Sequence, residues 1–271
     1  MDSFDAYSGT SEPQPDVPNA ARIYDYDLGG NHNFAVDRAE AERIHEVVGS
    51  GPYVARDNRG FLHRAVRFAL ERGIDQFLDL GSGIPTVGNV HEIAHRGNPA
   101  AQVVYVDNEP IAVAHTRQLL SAWGLQDRVA LVDADVRDPD AILSAPAVQR
   151  LDFSRPVALL MVAVLHYVGH EHDLASLVGR YTRDLAPGSV VAVSHVTADG
   201  QEERAARITE MLARTTTPAT FRGHDELVGL FSALDLDLVE PGIVWASQWR
   251  PDSPVEHPER SHCWTGVGAV R

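Results

Sequence analysis

The chain of 271 residues carries a formal net charge of −15 at pH 7, because 38 acidic residues outnumber 23 basic ones. No stretch concentrates Lys and Arg as a nucleic-acid groove requires, so we expect no nucleic-acid partner. The longest apolar run, over residues 157–165, is too short to cross a bilayer, and the N-terminus lacks a secretory signal. Cys263 is the only cysteine, so no internal disulfide can form. We therefore expect a cytoplasmic protein without membrane contact.

The N-terminal part divides into a tail and a helical segment. Residues 1–17 are polar and contain prolines, a composition typical of a disordered tail. Residues 18–73 form the helical segment, in which apolar residues recur at helical spacing over residues 35–48 and 55–72. Gly73 is placed to end the second of these helices.

From residue 76 onward, short apolar runs recur at the spacing of one β-α-β unit. The runs cover residues 76–80, 102–106, 129–132, 157–164 and 190–196. They are continuously apolar rather than alternating, which is typical of parallel strands buried on both faces. Helical patterns lie between them, the clearest over residues 174–185. The pattern predicts an α/β fold, a Rossmann-like sheet with helices on both faces.

The remaining chain completes one domain over residues 74–271. Two further helical patterns cover residues 205–212 and 227–234. Two last strands are predicted near residues 236–244 and 264–270, with a proline-rich loop between them.

The first predicted strand runs into a glycine turn. Gly81 and Gly83, with Ser82 between them, allow a tight turn and a close approach of ligand to backbone. A nicotinamide dinucleotide fingerprint would need a third glycine where Thr86 stands, which weakens that interpretation. Asp79, two residues before the first glycine, is instead placed to anchor the cationic amino-acid group of a different cofactor.

The next strands also end in candidate ligand-binding residues, and ligands of open α/β sheets bind at these ends. Asp107, followed by Asn108, is placed to accept hydrogen bonds from two ribose hydroxyls. Asp135 can accept from an adenine amine, Val136 can cover the ring, and the small Ala163 leaves room for a ligand. Each Asp taken singly is as typical of a helix cap or turn. Their common order along the chain favours a nucleoside-type cofactor.

With these residues the chain resembles class I S-adenosylmethionine-dependent methyltransferases over residues 75–196. More narrowly, it resembles an S-adenosyl methyltransferase family formerly described as a domain of unknown function. That likeness covers nearly the whole chain from Pro18 and rests on longer strings. The strings are residues 19–26, 29–38, 88–92 and 155–160.

The resemblance implies a seven-stranded sheet, mostly parallel with a reversed last strand, and S-adenosylmethionine as cofactor. The implied cofactor contacts are Asp79, Gly81, Gly83, Asp107 and Asp135. Two residues depart from the pattern. Pro85 stands where many class members have a third glycine, which makes the turn stiffer, and Asp27 stands where the family usually has Leu.

The segment over residues 22–38 combines two tyrosines, a Gly-Gly pair and several amides. We hypothesise that it forms a lid over the cofactor, with Tyr26 or Asn33 near the methionine end. Packing against the sheet edge is the alternative. Arg59 is a candidate partner for the cofactor carboxylate, with a solvated helix face as the alternative.

A sulfonium methyl is already a strong electrophile, so its transfer needs an in-line nucleophile and exclusion of water. A general base matters only where the acceptor must lose a proton. His166 is the first candidate for this base because histidine titrates near neutral pH, while shaping the pocket is its alternative role. His166, His170 and His172 also raise the question of a metal, but a solvated polar loop is the simpler interpretation and we expect no metal.

The sequence therefore predicts an S-adenosylmethionine-dependent methyltransferase that acts on an oxygen or nitrogen of a small molecule. The first alternative is a sensor or scaffold that binds the cofactor and transfers nothing. The second is a nicotinamide-dependent oxidoreductase, which Thr86 disfavours. The oligomeric state is open between a monomer and a homodimer.

Overall fold

The structure, a computed structural model, describes residues 14–86 and 88–271. Most of the predicted tail, residues 1–13, lies outside these described residues. The N-terminal helical extension contains three helices. They are α1 (Ala20–Asp27), α2 (Ala35–Val48) and α3 (Tyr53–Glu71). The helix α1 begins at Asn19, whose side chain accepts hydrogen bonds from the first backbone N–H groups of the helix.

The remaining elements form an α/β sheet with its connecting helices. The strands are β1 (Gln76–Leu80), β2 (Gln102–Asp107), β3 (Val129–Asp133), β4 (Ala158–Val162), β5 (Val190–Val196), β6 (Asp237–Leu238), β7 (Val244–Trp245) and β8 (Cys263–Ala269). The helices are α4 (Val90–Gly97), α5 (Pro110–Trp123), α6 (Pro139–Ser144), α7 (Leu174–Thr182), α8 (Glu202–Leu212) and α9 (His224–Ala233). None of the helices within the described ranges is both long and apolar enough to cross a membrane.

The strand order is β3-β2-β1-β4-β5-β8-β6, with β7 also paired to β8. The strands β1 to β5 pair in parallel, and β8 runs antiparallel to β5. This confirms the predicted mostly parallel sheet with a reversed last strand. The strand order reverses between β1 and β4, and a crevice at the carboxyl ends is expected at that point.

The strand predicted over residues 236–244 is broken into two short pieces, β6 and β7, so the count of separate strands is one higher than the predicted seven. Both pieces pair with β8 and occupy the same edge of the sheet. The break contains Pro241, which has no N–H for the ladder, and Gly242, whose φ is +85°. An apolar pattern alone did not account for this interruption.

Both faces of the sheet are covered, which explains the continuously apolar strands. Successive residues of β1 enter opposite cores: Phe77 packs on the side of α3, and Leu78 packs on the side of α7. The first core also contains Trp249, which is fully buried and packs edge-on against Phe61. Helices on both faces hold the sheet rigid and leave its carboxyl edge free to carry a site.

Candidate functional site

A cavity of about 600 Å³ lies at the carboxyl ends of β1 to β4, where the strand order reverses. Its volume is within the range of about 300–1,000 Å³ that is usual for small-molecule sites. The predicted residues at the strand ends all line it. They are Asp79, Gly81, Ser82, Gly83, Asp107, Asn108, Asp135, Val136 and Ala163.

The glycine turn after β1 depends on the absence of a side chain at Gly81. The backbone N–H groups of Gly81 and Ser82 both donate to the Val106 carbonyl, at 2.8 and 3.1 Å. Gly81 has a φ of +72°, and a Cβ there would lie 2.4 Å from a methyl carbon of Val164. Gly83 also has a positive φ of +66°, but no heavy atom lies within 4 Å of its would-be Cβ.

These two glycines form a matched pair for mutation. We expect Gly81→Ala to lower the free energy of unfolding by about 2–4 kcal/mol, because it adds a clash with Val164 to the cost of a left-handed alanine. Gly83→Ala has only the backbone cost of about 1–2 kcal/mol. Urea unfolding of both variants measures the difference. An equal loss for the two variants would contradict the close approach at Val164.

Asp107 connects the glycine turn to the start of α5. One carboxylate oxygen accepts from the Gly83 N–H at 2.7 Å, and the other accepts from the Glu109 N–H at 2.8 Å. Burial raises the pKa of Asp107, and these backbone hydrogen bonds counteract the rise. Each oxygen keeps a lone pair, so the carboxylate can still accept from two hydroxyl groups.

Asp135 is already engaged at the end of β3. Its carboxylate accepts from the Arg137 side chain at 2.9 Å and from the Asn108 amide at 3.1 Å. Arg137 lowers the pKa of Asp135, first through this hydrogen bond. Asp135 therefore stays ionised, and a ligand amine would share it with Arg137.

Asp79 is different, because its carboxylate receives no hydrogen bond from the described residues although it is only 5 % exposed. Desolvation raises its pKa to about 7, and the nearby Arg59 only partly offsets this rise. Arg59 also lines the cavity, and its Nε is buried without a partner, as is Ser82 Oγ. Buried polar atoms without partners are rare in folded proteins. A zwitterionic amino-acid group would satisfy both charges and suits the methionine end of the cofactor.

An ion-paired arginine fixes the N-terminal segment over the cavity. Arg22 is 1 % exposed, and it donates to Asp37 and to Glu109, both at 2.8 Å. The arginine thus joins α1 to α2 and to the start of α5. Arg22 and Glu109 are not among the site residues predicted from the sequence. Arg22 stands in one of the strings that carry the resemblance, but nothing in a sequence reveals a partner 87 residues away.

A second segment, after α8, completes the cover. The Asn19 amide donates to Thr216 Oγ1 at 3.0 Å, and the Ala20 N–H donates to Thr217 Oγ1 at 3.1 Å. Residues of both segments line the cavity. The cover therefore consists of residues 19–24 and residues 216–220, joined by side-chain hydrogen bonds.

Two residues predicted for the lid do not line the cavity. The Tyr26 hydroxyl donates to Glu42 at 2.7 Å in an exposed position, and the Asn33 amide donates to Asp25 at 2.8 Å. Tyr24 lines the cavity instead. The helix α1 turns by about 200° over two residues, so Tyr24 and Tyr26 face opposite ways. We therefore correct the predicted placement of Tyr26 and Asn33.

His166 is also placed differently from the prediction. It lies in the 3₁₀ turn Leu165–Tyr167, is 4 % exposed and does not line the cavity. Its ring packs beside His195, with centroids 5.6 Å apart. Burial, helped by His195 and Arg222, lowers the pKa of His166 well below its usual value. A base must reach the proton it removes, and this geometry does not bring His166 to a ligand in the cavity.

The end of β4 is held by a chain of buried polar groups. Ala163 has a φ of +59°, a left-handed conformation that is costly for alanine. Its N–H donates to Ser194 Oγ at 2.8 Å, and Ser194 donates to Asn58 Oδ1 at 2.5 Å. The Asn58 amide then donates to the Tyr24 hydroxyl at 2.9 Å. Hydrogen bonds from β5 and α3 thus stabilise a strained turn that borders the cavity.

The two departures from the family pattern lie outside the cavity lining. Asp27 pairs with His45 Nε2 at 2.8 Å on the N-terminal helices. Pro85 follows the glycine turn on the side away from the cavity. Neither residue therefore disturbs the strand-end constellation.

The histidine-rich loop after β4 has no arrangement of metal ligands. His170 is exposed, and His172 lies 3.6 Å from a carboxylate oxygen of Glu171. Within residues 14–86 and 88–271, no group of three or more His, Cys, Asp or Glu side chains is placed to hold a metal ion.

Comparison with known proteins points to one family. A family model described as S-adenosyl methyltransferase matches residues 9–271. A proposed methyltransferase from Thermobifida fusca YX is 39% identical with a TM-score of 0.87, over 94% of this chain and 96% of that one. A DUF574 family protein from Streptomyces avermitilis MA-4680 is 36% identical with a TM-score of 0.87, over 94% of this chain and 98% of that one.

More distant similarity extends only to the fold. An O-methyltransferase family protein from Burkholderia thailandensis is 14% identical with a TM-score of 0.53, over 82% of this chain and 58% of that one. No curated protein matches the chain.

Proposed function

This chain belongs to the S-adenosyl methyltransferase family and uses S-adenosylmethionine as its methyl donor, and from that premise we propose that it methylates an oxygen or nitrogen atom of a small molecule held in the cavity at the ends of β1 to β4. The observation that carries the proposal is the pair of oppositely charged side chains that line the cavity beside the glycine turn, Asp79 and Arg59, of which Arg59 has its Nε buried without a partner. They complement the ammonium and carboxylate of the cofactor's amino-acid end.

The other strand-end residues suit the nucleoside. We assign the two ribose hydroxyls to the free lone pairs of Asp107 and the adenine amine to Asp135. Val136 borders the same part of the cavity and offers an apolar contact to the ring. When bound, S-adenosylmethionine supplies a methyl group on a positively charged sulfur. The protein supplies the orientation of that group and a cavity that excludes water.

We propose that the cover, residues 19–24 and 216–220, provides this exclusion of water. Of the helical segment over residues 18–73, which includes the predicted lid, only the part around α1 and one face of α3 line the cavity. Because His166 is turned away, we propose that no histidine base takes part and that the acceptor presents an atom that is nucleophilic once it is oriented.

The test is calorimetric titration with S-adenosylhomocysteine, the demethylated form of the cofactor, and with NAD. We expect S-adenosylhomocysteine to bind and NAD not to bind. Asp107→Asn should weaken S-adenosylhomocysteine binding by about 10- to 100-fold, because charge-assisted hydrogen bonds to two hydroxyls are lost.

Asp133→Asn is the matched control. Asp133 is the residue of β3 paired with Asp107 in the sheet, but it lies outside the cavity lining and approaches Arg117 at 3.5 Å. We expect less than about a twofold change for this variant. Equal affinities of the two variants would argue against the assigned ribose contact, and tight NAD binding would argue against the proposed function.

A further inference from the structure

We propose that Tyr167 binds the methyl acceptor, and that its hydroxyl donates a hydrogen bond to an uncharged, planar molecule carrying a hydrogen-bond acceptor such as a ring nitrogen or a carbonyl oxygen. The inference rests on the proposed function, because a methyltransferase needs a second ligand beside the cofactor, whereas a protein that only binds the cofactor does not. It concerns the part of the cavity that the cofactor assignments leave free.

Tyr167 is the residue of the turn after β4 that reaches the cavity. Its neighbours Leu165 and His166 are buried in the protein interior, whereas Tyr167 lines the cavity. The Tyr167 hydroxyl has no hydrogen-bond partner among the described residues, and it is not sealed from solvent. It therefore faces the cavity with its donor and acceptor positions free.

Four charged residues of the cavity lining are matched to the cofactor. Asp79 and Arg59 suit the amino-acid end, while Asp107 and Asp135 suit the nucleoside. No group of the cofactor is assigned to the Tyr167 hydroxyl. A free phenol in the same cavity can orient the molecule that receives the methyl group.

The hydroxyl acts as a donor because it stays protonated. Burial raises the pKa of Tyr167 well above its usual value, and the neighbouring Tyr24 and Asp107 add to the rise. Tyr167 is therefore unsuited to the role of a base and suited to positioning an acceptor atom.

The surroundings favour an uncharged, planar ligand. The rings of Tyr24 and Tyr167 both line the cavity, together with Leu62, Val162 and Pro218. Aromatic side chains prefer to stack against flat partners. A charged ligand would lose its hydration among these apolar walls.

The turn that carries Tyr167 is fixed before any ligand arrives. Arg222 donates to the Leu165 carbonyl at 3.3 Å and to the Val168 carbonyl at 3.0 Å, so it clamps both ends of the turn. It also donates to His195 Nε2 at 3.0 Å. The position of the Tyr167 ring is thereby preset, which lowers the cost of ordering it on binding.

Quinoline and naphthalene are matched probes, because they have the same shape and differ in one hydrogen-bond-accepting nitrogen. Ligand-observed NMR titrations would measure both affinities on protein saturated with S-adenosylhomocysteine. For the wild type we expect quinoline to bind about three- to tenfold more tightly than naphthalene, as one hydrogen bond supplies. Tyr167→Phe should bring the ratio to about one and leave S-adenosylhomocysteine binding unchanged.

Tyr26→Phe is the control, because it removes a hydroxyl that meets Glu42 on the surface, and it should leave the ratio at the wild-type value. Should Tyr167→Phe fold poorly, a quinoline-dependent shift of the ¹³Cζ signals of labelled wild-type tyrosines replaces it as the readout. A preference for quinoline that survives Tyr167→Phe, no preference in the wild type, or no binding of either probe to loaded protein each overturns the inference. Failure of S-adenosylhomocysteine to bind refutes the proposed function instead.

Discussion

Replacing Asp79 by asparagine is expected to weaken S-adenosylhomocysteine binding by about 100-fold or more, because the ligand ammonium loses the buried carboxylate that is assigned to it. The variant keeps the shape of the side chain, and Asp79 accepts no hydrogen bond from the described residues. The change therefore removes charge without opening a cavity. Calorimetric titration near neutral pH measures the loss.

The same substitution is expected to stabilise the ligand-free protein at alkaline pH. The pKa of Asp79 is raised by burial from 3.8 to about 7, so the folded state binds the proton more tightly than the unfolded state. The resulting loss of stability is absent below the unfolded pKa, grows as the pH rises, and is complete above the folded pKa. It amounts to at most about 4 kcal/mol at pH 8, and asparagine does not incur it.

Thermal unfolding at about pH 5 and about pH 8 tests this sign, and the advantage of Asp79→Asn over the wild type should grow by up to about 3 kcal/mol between them. Asp57→Asn is the control, because burial also raises the pKa of Asp57 but this residue does not line the cavity. It should leave ligand affinity unchanged. Wild-type affinity in Asp79→Asn, or a loss of stability at pH 8, would show that Asp79 is not an unsatisfied charge kept for a ligand.

The second large effect concerns Arg22. We expect Arg22→Met to lower the free energy of unfolding by about 3–5 kcal/mol, since Asp37 and Glu109 would remain buried without their cation. For a chain of this size the loss corresponds to a fall in Tm of about 10 °C. Differential scanning calorimetry measures it directly.

Arg214→Met is the matched control. Arg214 also pairs with a carboxylate, that of Glu210 at 3.1 Å, but the two side chains are 77% and 73% exposed. Exposed pairs contribute about 0–1 kcal/mol, so its Tm should stay within about 2 °C of the wild type. Equal Tm values for the two variants would show that the buried ion pairs of Arg22 contribute no more to stability than an exposed ion pair does.

The central sheet could be predicted from sequence because its signal is local. The strands β1 to β5 are runs of mostly apolar residues, and the structure finds them within one or two residues of their predicted ends. The break in the sixth strand is marked in the sequence by Pro241 and Gly242, a dipeptide typical of turns, but the apolar residues on either side of it favour one continuous strand. The helix α1 escaped notice because it is short and rich in polar residues.

The residues of the candidate site likewise include some that could be predicted from the sequence and some that could not. The strand-end residues could be predicted because a parallel sheet brings the ends of successive strands together in a known order. It could not be predicted that Tyr167 lines the cavity and His166 does not. The direction of a side chain in this turn depends on Arg222, which lies more than fifty residues further along the chain. Likewise, Tyr24 could be separated from Tyr26 only once the start of α1 was known.

Glu109 takes part in two interactions that belong to different tasks. Its side chain pairs with Arg22 in the N-terminal segment, while its backbone N–H steadies Asp107. Such coupling works in both directions with equal strength. A nucleoside bound at Asp107 is thus expected to stabilise the contact between Glu109 and Arg22, and loss of that contact is expected to weaken nucleoside binding.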